Sequence, residues 1–264
     1  MIDQDIQIVF NRRIASETFL MGLRSYEIVE TARPGQFVMI RVGSGIDPLL
    51  RRPFSICSTK ENDLFLILYR VVGRGTSIMA KKREGERLSV LGPLGKGFEL
   101  PQNDQMPVLV AGGMGIAPLL SLAQAIKTSD VQIMMGVGTA NEIISIDEIV
   151  DRHVDVSIAT DDGTEGYAGP VTDLLEEYLK LHEPRKDSLP LFSCGPLPML
   201  KSVVSIVNDR DISCQVSLEA AMACGLGACQ GCVIKASSKK KMDYYHVCKD
   251  GPVFPVQAID WNIL

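Results

Sequence analysis

One stretch near the C-terminus constrains the chain more than any other. It reads Cys224-Gly225-Leu226-Gly227-Ala228-Cys229-Gln230-Gly231-Cys232, and Cys248 comes after fifteen further residues. The spacing C-x4-C-x2-C…C is that of four thiolates around a [2Fe–2S] cluster. A short loop must wrap two irons, bring its sulfurs inward and turn its amides toward the cluster, and glycines between the cysteines permit that path. Zinc is a competing reading, but zinc usually pairs one short C-x2–4-C unit with another such unit or with histidines. Here Cys248 stands alone and His246 is the only histidine nearby. Disulfides fit less well, because seven cysteines without a secretion signal suit a reducing compartment. Cys224, Cys229, Cys232 and Cys248 are therefore the candidate metal ligands of an electron carrier.

The rest of the chain is long enough to house partners for such a centre. With 264 residues, 46% of them hydrophobic, it divides into two or three domains with sizeable cores. A net charge of −5 and the lack of a basic arm argue against a nucleic-acid surface. The N-terminus, Met1-Ile2-Asp3-Gln4-Asp5, is acidic where a signal peptide is basic and then apolar. The longest apolar stretch, Val108 to Leu120, is too short for a bilayer and is broken by glycines. The expectation is a soluble, cytoplasmic protein that binds neither nucleic acid nor membrane.

Residues 6 to about 100 read as β structure. Short β-rich runs recur at Ile6–Phe10, Thr18–Arg24, Gln36–Val42, Ser55–Ser58, Leu64–Val72 and Arg87–Leu91. Turn signals such as Pro34-Gly35, Gly43-Ser44-Gly45 and Gly92-Pro93 separate them, which predicts a small antiparallel barrel. After the polar break Pro101–Gln105, strands alternate with helices. Strands are expected at Val108–Ala111, Val131–Val137, Val154–Ala159 and Leu191–Cys194. Helices are expected at Ile116–Lys127, from a cap at Asn141 to Val150, around Val171–Leu181 and around Leu197–Val207. That rhythm predicts an open, doubly wound, mostly parallel sheet. Beyond Asp211 the pattern dissolves into the cysteine loop and a short tail, and Lys239-Lys240-Lys241 reads as a solvated turn. The predicted division is 1–100 for the barrel, 101–211 for the α/β domain and 212–264 for the cluster module.

Four further constellations carry chemistry. Arg51-Arg52-Pro53-Phe54-Ser55 enters a strand, where Arg52 offers a cation to a flavin diphosphate, Ser55 a hydroxyl and Phe54 an apolar contact. By itself the motif is also an ordinary Arg-Pro before a strand. Tyr69-Arg70 is followed by Gly73-Arg74-Gly75-Thr76-Ser77, whose glycines and hydroxyls at a helix start make an anion site or, equally, a capped turn. Ala111-Gly112-Gly113-Met114-Gly115-Ile116-Ala117-Pro118 joins a buried strand to a helix, the resting place of a dinucleotide diphosphate or the tight packing of a crossover. Cys194-Gly195-Pro196 ends a later strand, and its thiol either lines a nicotinamide cleft or is merely buried. His153, His182 and His246 share no motif and read as structural or surface residues.

In this order the motifs resemble the ferredoxin-reductase superfamily. More narrowly they resemble the electron-transfer subunits of B-type, NAD-dependent dihydroorotate dehydrogenases, over nearly the whole chain. The resemblance rests on Arg52-Pro53-Phe54-Ser55, Tyr69-Arg70 with Gly73-x-Gly75-Thr76, Gly92-Pro93-Leu94-Gly95-x-Gly97-Phe98, Gly112-Gly113-x-Gly115-x-Ala117-Pro118, Thr160-Asp161-Asp162-Gly163, Cys194-Gly195-Pro196 and the four cluster cysteines. It implies a flavin-binding β-barrel, a nicotinamide domain and a C-terminal [2Fe–2S] module. FAD then falls on Arg52, Pro53, Phe54 and Ser55, on Leu68, Tyr69 and Arg70, and on Gly75, Thr76 and Ser77. NAD falls on Gly112, Gly113 and Gly115 and on Cys194, Gly195 and Pro196. The superfamily writes R-x-Y-S at the flavin, so Phe54 removes a hydroxyl, and the fifteen-residue gap before Cys248 carries a lysine run.

The resemblance also implies a converter between hydride pairs and single electrons. No acid–base dyad or nucleophile is visible, so oxidation of an organic substrate is assigned to a partner. By resemblance that partner is an FMN-containing catalytic subunit that oxidises dihydroorotate, assembled as a heterotetramer of two subunits of each kind. Asp161 and Asp162 argue for NAD over NADP by repelling a 2′-phosphate. An alternative is the small flavin/[2Fe–2S] subunit of a bifurcating NADH-dependent ferredoxin:NADP+ oxidoreductase or a related sulfide dehydrogenase. One cluster ligand is expected to be an Asp in the bifurcating enzyme, and four cysteines favour the first assignment. A reading of another class is a non-catalytic iron–sulfur redox sensor, which leaves the flavin and nicotinamide motifs idle.

Overall fold

The computed structural model describes residues 1–43, 45–127, 131–182, 189–238 and 243–264. Ser44 of the expected Gly43-Ser44-Gly45 turn and the run Lys239-Lys240-Lys241 lie outside the described residues. Six strands close into an antiparallel barrel: β1 (Ile2–Ala15), β2 (Thr18–Arg24), β3 (Phe37–Arg41), β4 (Arg52–Lys60), β5 (Leu64–Arg70) and β6 (Arg87–Leu94). Their order is β1-β2-β5-β4-β3-β6, and β6 returns to β1. Strand β6 buries Leu88, Val90, Gly92 and Leu94 in strict alternation, as a pleated strand with one wet face must. Strand β5 does not alternate, because both its faces are covered. Phe65, Ile67 and Tyr69 fill the barrel, whereas Leu66 and Leu68 join the core of the following domain. Two short helices interrupt the barrel, α1 (Tyr26–Thr31) and α2 (Arg74–Ala80). The first escaped the sequence pattern because a six-residue helix completes too few turns to show a period.

The second half is a sheet with helices on both faces. Its parallel strands are β7 (Val108–Gly112), β8 (Gln132–Val137), β9 (Asp155–Thr160), the two-residue β10 (Tyr167–Ala168), β11 (Leu191–Cys194) and β12 (Cys214–Ser217). Helix α3 (Ile116–Ala125) packs on the face shared with the barrel, and α4 (Val171–His182) and α5 (Leu197–Arg210) pack on the other. The order is β10-β9-β8-β7-β11-β12, so consecutive parallel strands depart from β7 in opposite directions. A crevice opens at the carboxyl ends of β7 and β11, where such sheets bind ligands.

Two expectations are corrected. No helix runs from Asn141 to Val150; a single 3₁₀ turn at Ala140–Glu142 leads into an irregular strap. Ile146, Ile149 and Val150 mimic the i, i+3, i+4 spacing of a helix and are indeed buried, as is Ile144. The strap's acids, however, turn to the barrel, where Arg12 meets Glu148, Lys60 meets Asp151 and Arg70 meets Glu142. Tertiary contacts override the periodicity. Nor does the pattern end at Asp211. Strand β12 extends the parallel sheet, and after the hairpin β13 (Val233–Lys235) and β14 (Tyr244–His246) and the turn α6 (Val247–Asp250), strand β15 (Val253–Pro255) pairs antiparallel with β12. Strands of three or four residues are too short to register as a repeat. Among the described residues, no helix is long and apolar enough to cross a membrane.

Leu66 couples the barrel to the second domain at 2% exposure. Leu66→Ala should cost about 2–5 kcal/mol, a lost transfer term plus a cavity. Urea unfolding monitored by circular dichroism should record a lowered midpoint, and an unchanged midpoint would refute the shared-core assignment.

Candidate functional site

A cavity of about 450 Å³ lies between the barrel and the sheet. The barrel lines it with Arg52, Pro53, Phe54, Ser55, Leu68, Tyr69, Arg70 and Thr76. Gly75 stands just behind this wall, where an added Cβ would lie 3.2 Å from Arg52 Nε. The rings are fixed: Tyr69 stacks on Phe19 with centroids 5.6 Å apart and meets the edge of Phe54 at 5.9 Å. Tyr69 donates its hydroxyl to Asn11 Oδ1 at 2.9 Å, and Asn11 in turn donates to the carbonyls of Met79 and Lys82. Burial pushes the Tyr69 phenol up to about 12, against a smaller opposing effect of Asn11. Its hydroxyl thus serves the barrel and only its ring serves the cavity. Thr76 accepts from the amides of Val72 and Gly73 and so caps α2, and Ser77 donates back to the Gly73 carbonyl, so both hydroxyls are engaged at the start of that helix. The cationic share of the wall falls to Arg52 and Arg70. The Nε of Arg70 is buried and makes no hydrogen bond, a donor suited to an anionic ligand.

The opposite wall comes from the switch point. Gly115 presses against the Cys194 carbonyl so closely that no Cβ fits, which brings the Gly112-Gly113-x-Gly115 turn and the Cys194-Gly195-Pro196 turn together. Cys194 lines the main cavity, while Gly195 and Pro196 line a smaller adjoining pocket of about 270 Å³. Burial pushes the Cys194 thiol up to about 12, the charge of Glu219 adds to it, and a hydrogen bond with Ser217 opposes it. The thiol is therefore neutral at physiological pH. Glu219 itself is raised by burial. Ser217, Leu218, Glu219, Ala220, Met222 and Pro252 also line the main cavity. Sequence reasoning missed them, because they flank the cysteine loop in sequence and bear no motif of their own.

The cysteine loop itself packs on the barrel. Gly225 adopts φ +72°, and an added Cβ would meet Met39 Cγ at 2.7 Å, so the close approach requires glycine. Backbone amides converge on the sulfurs: Leu226 and Cys229 donate to Cys224 at 3.4 and 3.5 Å, Gly227 donates to Cys248 at 3.1 Å, and Cys248 donates to Cys232 at 3.4 Å. The thiols form two pairs, Cys224 with Cys229 and Cys232 with Cys248, each within hydrogen-bonding reach. Among the described residues, no three histidine, cysteine or acidic side chains converge on one point as ligands of a single ion. Two pairs match the ligand demand of a two-iron cluster, two thiolates to each iron. Desolvation opposes ionisation of Cys224, yet the amides of Leu226 and Cys229 outweigh it and hold the thiol at about 6. Burial dominates at Cys248 and pushes it up to about 12, with the Cys232 thiol adding to the shift. The outer pair includes the exposed Cys229, and the inner pair is buried.

Comparison with known proteins bears on both regions. Residues 219–260 match the model of the iron-sulfur cluster binding domain of dihydroorotate dehydrogenase B. The chain is 35% identical over 261 residues to the dihydroorotate dehydrogenase B (NAD(+)) electron transfer subunit of Desulforamulus reducens, covering 98% of each. It is 38% identical over 262 residues to the same subunit of Fusobacterium nucleatum, covering 97% of this chain and 98% of that one. Among solved structures, a chain of an NADH-dependent reduced ferredoxin-NADP oxidoreductase, described for flavin-based electron bifurcation, superposes with a TM-score of 0.83 at 31% identity. That match covers 97% of this chain and 90% of the other. A ferredoxin NADP+ reductase from Neisseria gonorrhoeae with bound FAD and NADP shares the fold, with a TM-score of 0.66 at 20% identity over 83% of this chain and 93% of its own.

The inner thiol pair and the cavity walls make separable demands. Cys248→Ser should lower the iron content from about two per chain to well below one while leaving the flavin bound. Parallel iron and flavin determinations on anaerobically purified protein check this. Full iron retention would remove Cys248 from the ligand set.

Proposed function

Because the chain belongs to the family of dihydroorotate dehydrogenase B (NAD(+)) electron transfer subunits, we propose that it passes electrons from dihydroorotate oxidation, carried out by a partner catalytic subunit in pyrimidine synthesis, to NAD+. The observation that carries this reading is a shared wall. Met222 lies two residues before Cys224 and Pro252 four residues after Cys248, and both line the cavity bounded by Arg52–Ser55 and Leu68–Arg70. When bound, FAD exchanges hydride pairs for single electrons, which a [2Fe–2S] cluster carries one at a time.

The chain's own residues supply binding, orientation and exclusion of water. Arg52 and Arg70 offer cations to a dinucleotide diphosphate, and the rings of Phe37 and Phe54 with Leu68 and Met222 give an apolar bed. The Gly112–Gly115 turn and the Cys194–Pro196 turn receive the nicotinamide dinucleotide at the switch point. The neutral Cys194 thiol presents a soft, uncharged surface there, and Glu219 shares the cavity with it. The thiolates of Cys224, Cys229, Cys232 and Cys248 hold the cluster, with the exposed Cys229 and Leu226 on the edge a partner would meet. In this reading the functional units are a flavin barrel over 1–100, a nicotinamide domain over 101–211 completed by β12 and β15, and a cluster module within 212–264. The partner is an FMN-containing catalytic subunit, two copies of each chain forming the assembly in the cytoplasm.

NAD is the nicotinamide carrier. Asp161 and Asp162 follow β9, and Asp162 is held below the usual carboxylate range by the Thr164 hydroxyl and then the Thr164 amide. A fixed negative charge there disfavours a 2′-phosphate. The likeness to the bifurcating enzyme supports a second reading, the small subunit of such a complex. Copurification separates the two, since the second reading requires a large flavoprotein partner.

The isolated chain should reduce ferricyanide with NADH, prefer NADH to NADPH in kcat/KM, and leave dihydroorotate untouched. Steady-state assays with each donor check all three, and turnover of dihydroorotate by this chain alone would contradict the assignment.

A further inference from the structure

The strap between β8 and β9 does more than close a crossover. Arg70, on the cavity wall, donates through Nη2 to Glu142 Oε2 at 2.7 Å, and Glu142 belongs to the other domain. Both side chains are about seven-tenths covered, at 28% and 30% exposure, unlike the Arg12–Glu148 pair of the same strap, at 51% and 54%. The guanidinium is a rigid fork of five donors. With one arm fixed on Glu142, the plane of the remaining donors is set, and the buried Nε still lacks an acceptor. The strap is itself tied down in the two residues just before this contact. The Ser16 amide donates to the Asn141 carbonyl at 3.1 Å, and the Ala140 amide donates to Thr164 Oγ1 at 2.9 Å. That hydroxyl donates to Asp162, in the turn after β9 whose negative charge disfavours a 2′-phosphate.

We propose that Glu142 is a positioning residue for the flavin: from the nicotinamide domain it orients the Arg70 guanidinium toward the anionic diphosphate of a dinucleotide in the barrel cavity. Retention of FAD is thereby shared between two domains rather than left to the barrel. The inference rests on the functional reading above and adds to it a residue that no motif marks. Glu142 touches no ligand atom itself; it acts through Arg70.

The test is release of FAD from the purified holoprotein on dilution, followed by the rise in flavin fluorescence. Glu142→Gln keeps the shape and removes the charge, and should speed release about tenfold or more, the factor expected for losing a charged hydrogen-bond partner. Glu142→Asp should fall between it and the wild type. Glu148→Gln and Asp151→Asn break the two other strap-to-barrel ion pairs, whose acids are more exposed, at 54% and 60%, and should stay within about twofold. In an Arg70→Met background, adding Glu142→Gln should not speed release further, because the residue it serves is already gone. Release from Glu142→Gln at the wild-type rate would overturn the proposal. So would equal acceleration by all three strap variants, which would make the strap merely structural. A wild-type chain that purifies without flavin would overturn the functional reading, and this proposal with it.

Discussion

The pairing of β12 with β15 is the constraint on which the arrangement depends. Gln215, Val216 and Ser217 face Pro255, Phe254 and Val253 across an antiparallel ladder, and the Leu218 amide donates to the Pro252 carbonyl at 3.0 Å. The whole cysteine module is an excursion between these two strands, so its entry and exit are fixed to the edge of a parallel sheet. A further backbone bond from Lys96 to Gly251 at 2.5 Å ties the exit to the end of the barrel. Metal-binding loops of this kind gain order from their metal, but their placement relative to a second cofactor has to come from the protein. Here three elements meet in about a dozen residues, and the flanks of the loop become the wall of the cavity.

The same economy appears in the barrel. Strand β5 faces two cores at once, and its last residues, Leu68, Tyr69 and Arg70, each look to a different neighbour. Leu68 joins the core shared with α3, Tyr69 is locked inside the barrel by Asn11, and Arg70 reaches the strap of the other domain. A cofactor seated beside them would feel both domains. Burial keeps Cys194 neutral, whereas converging amides favour the thiolate of Cys224, so two cysteines of one chain are tuned in opposite directions by desolvation and hydrogen bonding.

Much of this was legible in the sequence, and the rest was hidden for physical reasons. The barrel strands were readable because turns punctuate them and because β6 alternates cleanly. The Gly112–Gly115 turn and Cys194 were readable because a switch point needs small residues at the ends of adjacent strands. The strap over 139–152 misled, since Ile146, Ile149 and Val150 have helical spacing although ion pairs to the barrel set their course. Strands β12 and β15 were silent, being too short for a period and defined only by partners distant in sequence. For that reason Ser217, Glu219, Met222 and Pro252 went unseen, although they complete the cavity. Arg70 was marked by its motif; Glu142, its partner, had no local signal at all.

The most direct test of the account is the rate at which electrons cross that shared wall. The isolated holoprotein would be mixed rapidly with NADH, frozen at intervals and examined by electron paramagnetic resonance for the reduced iron centre, with flavin absorbance followed in parallel. The account predicts that flavin absorbance falls first and the iron signal comes second, at a rate independent of protein concentration because both sites lie in one chain. An iron signal that never appears, or one whose rate rises in proportion to protein concentration, would contradict it.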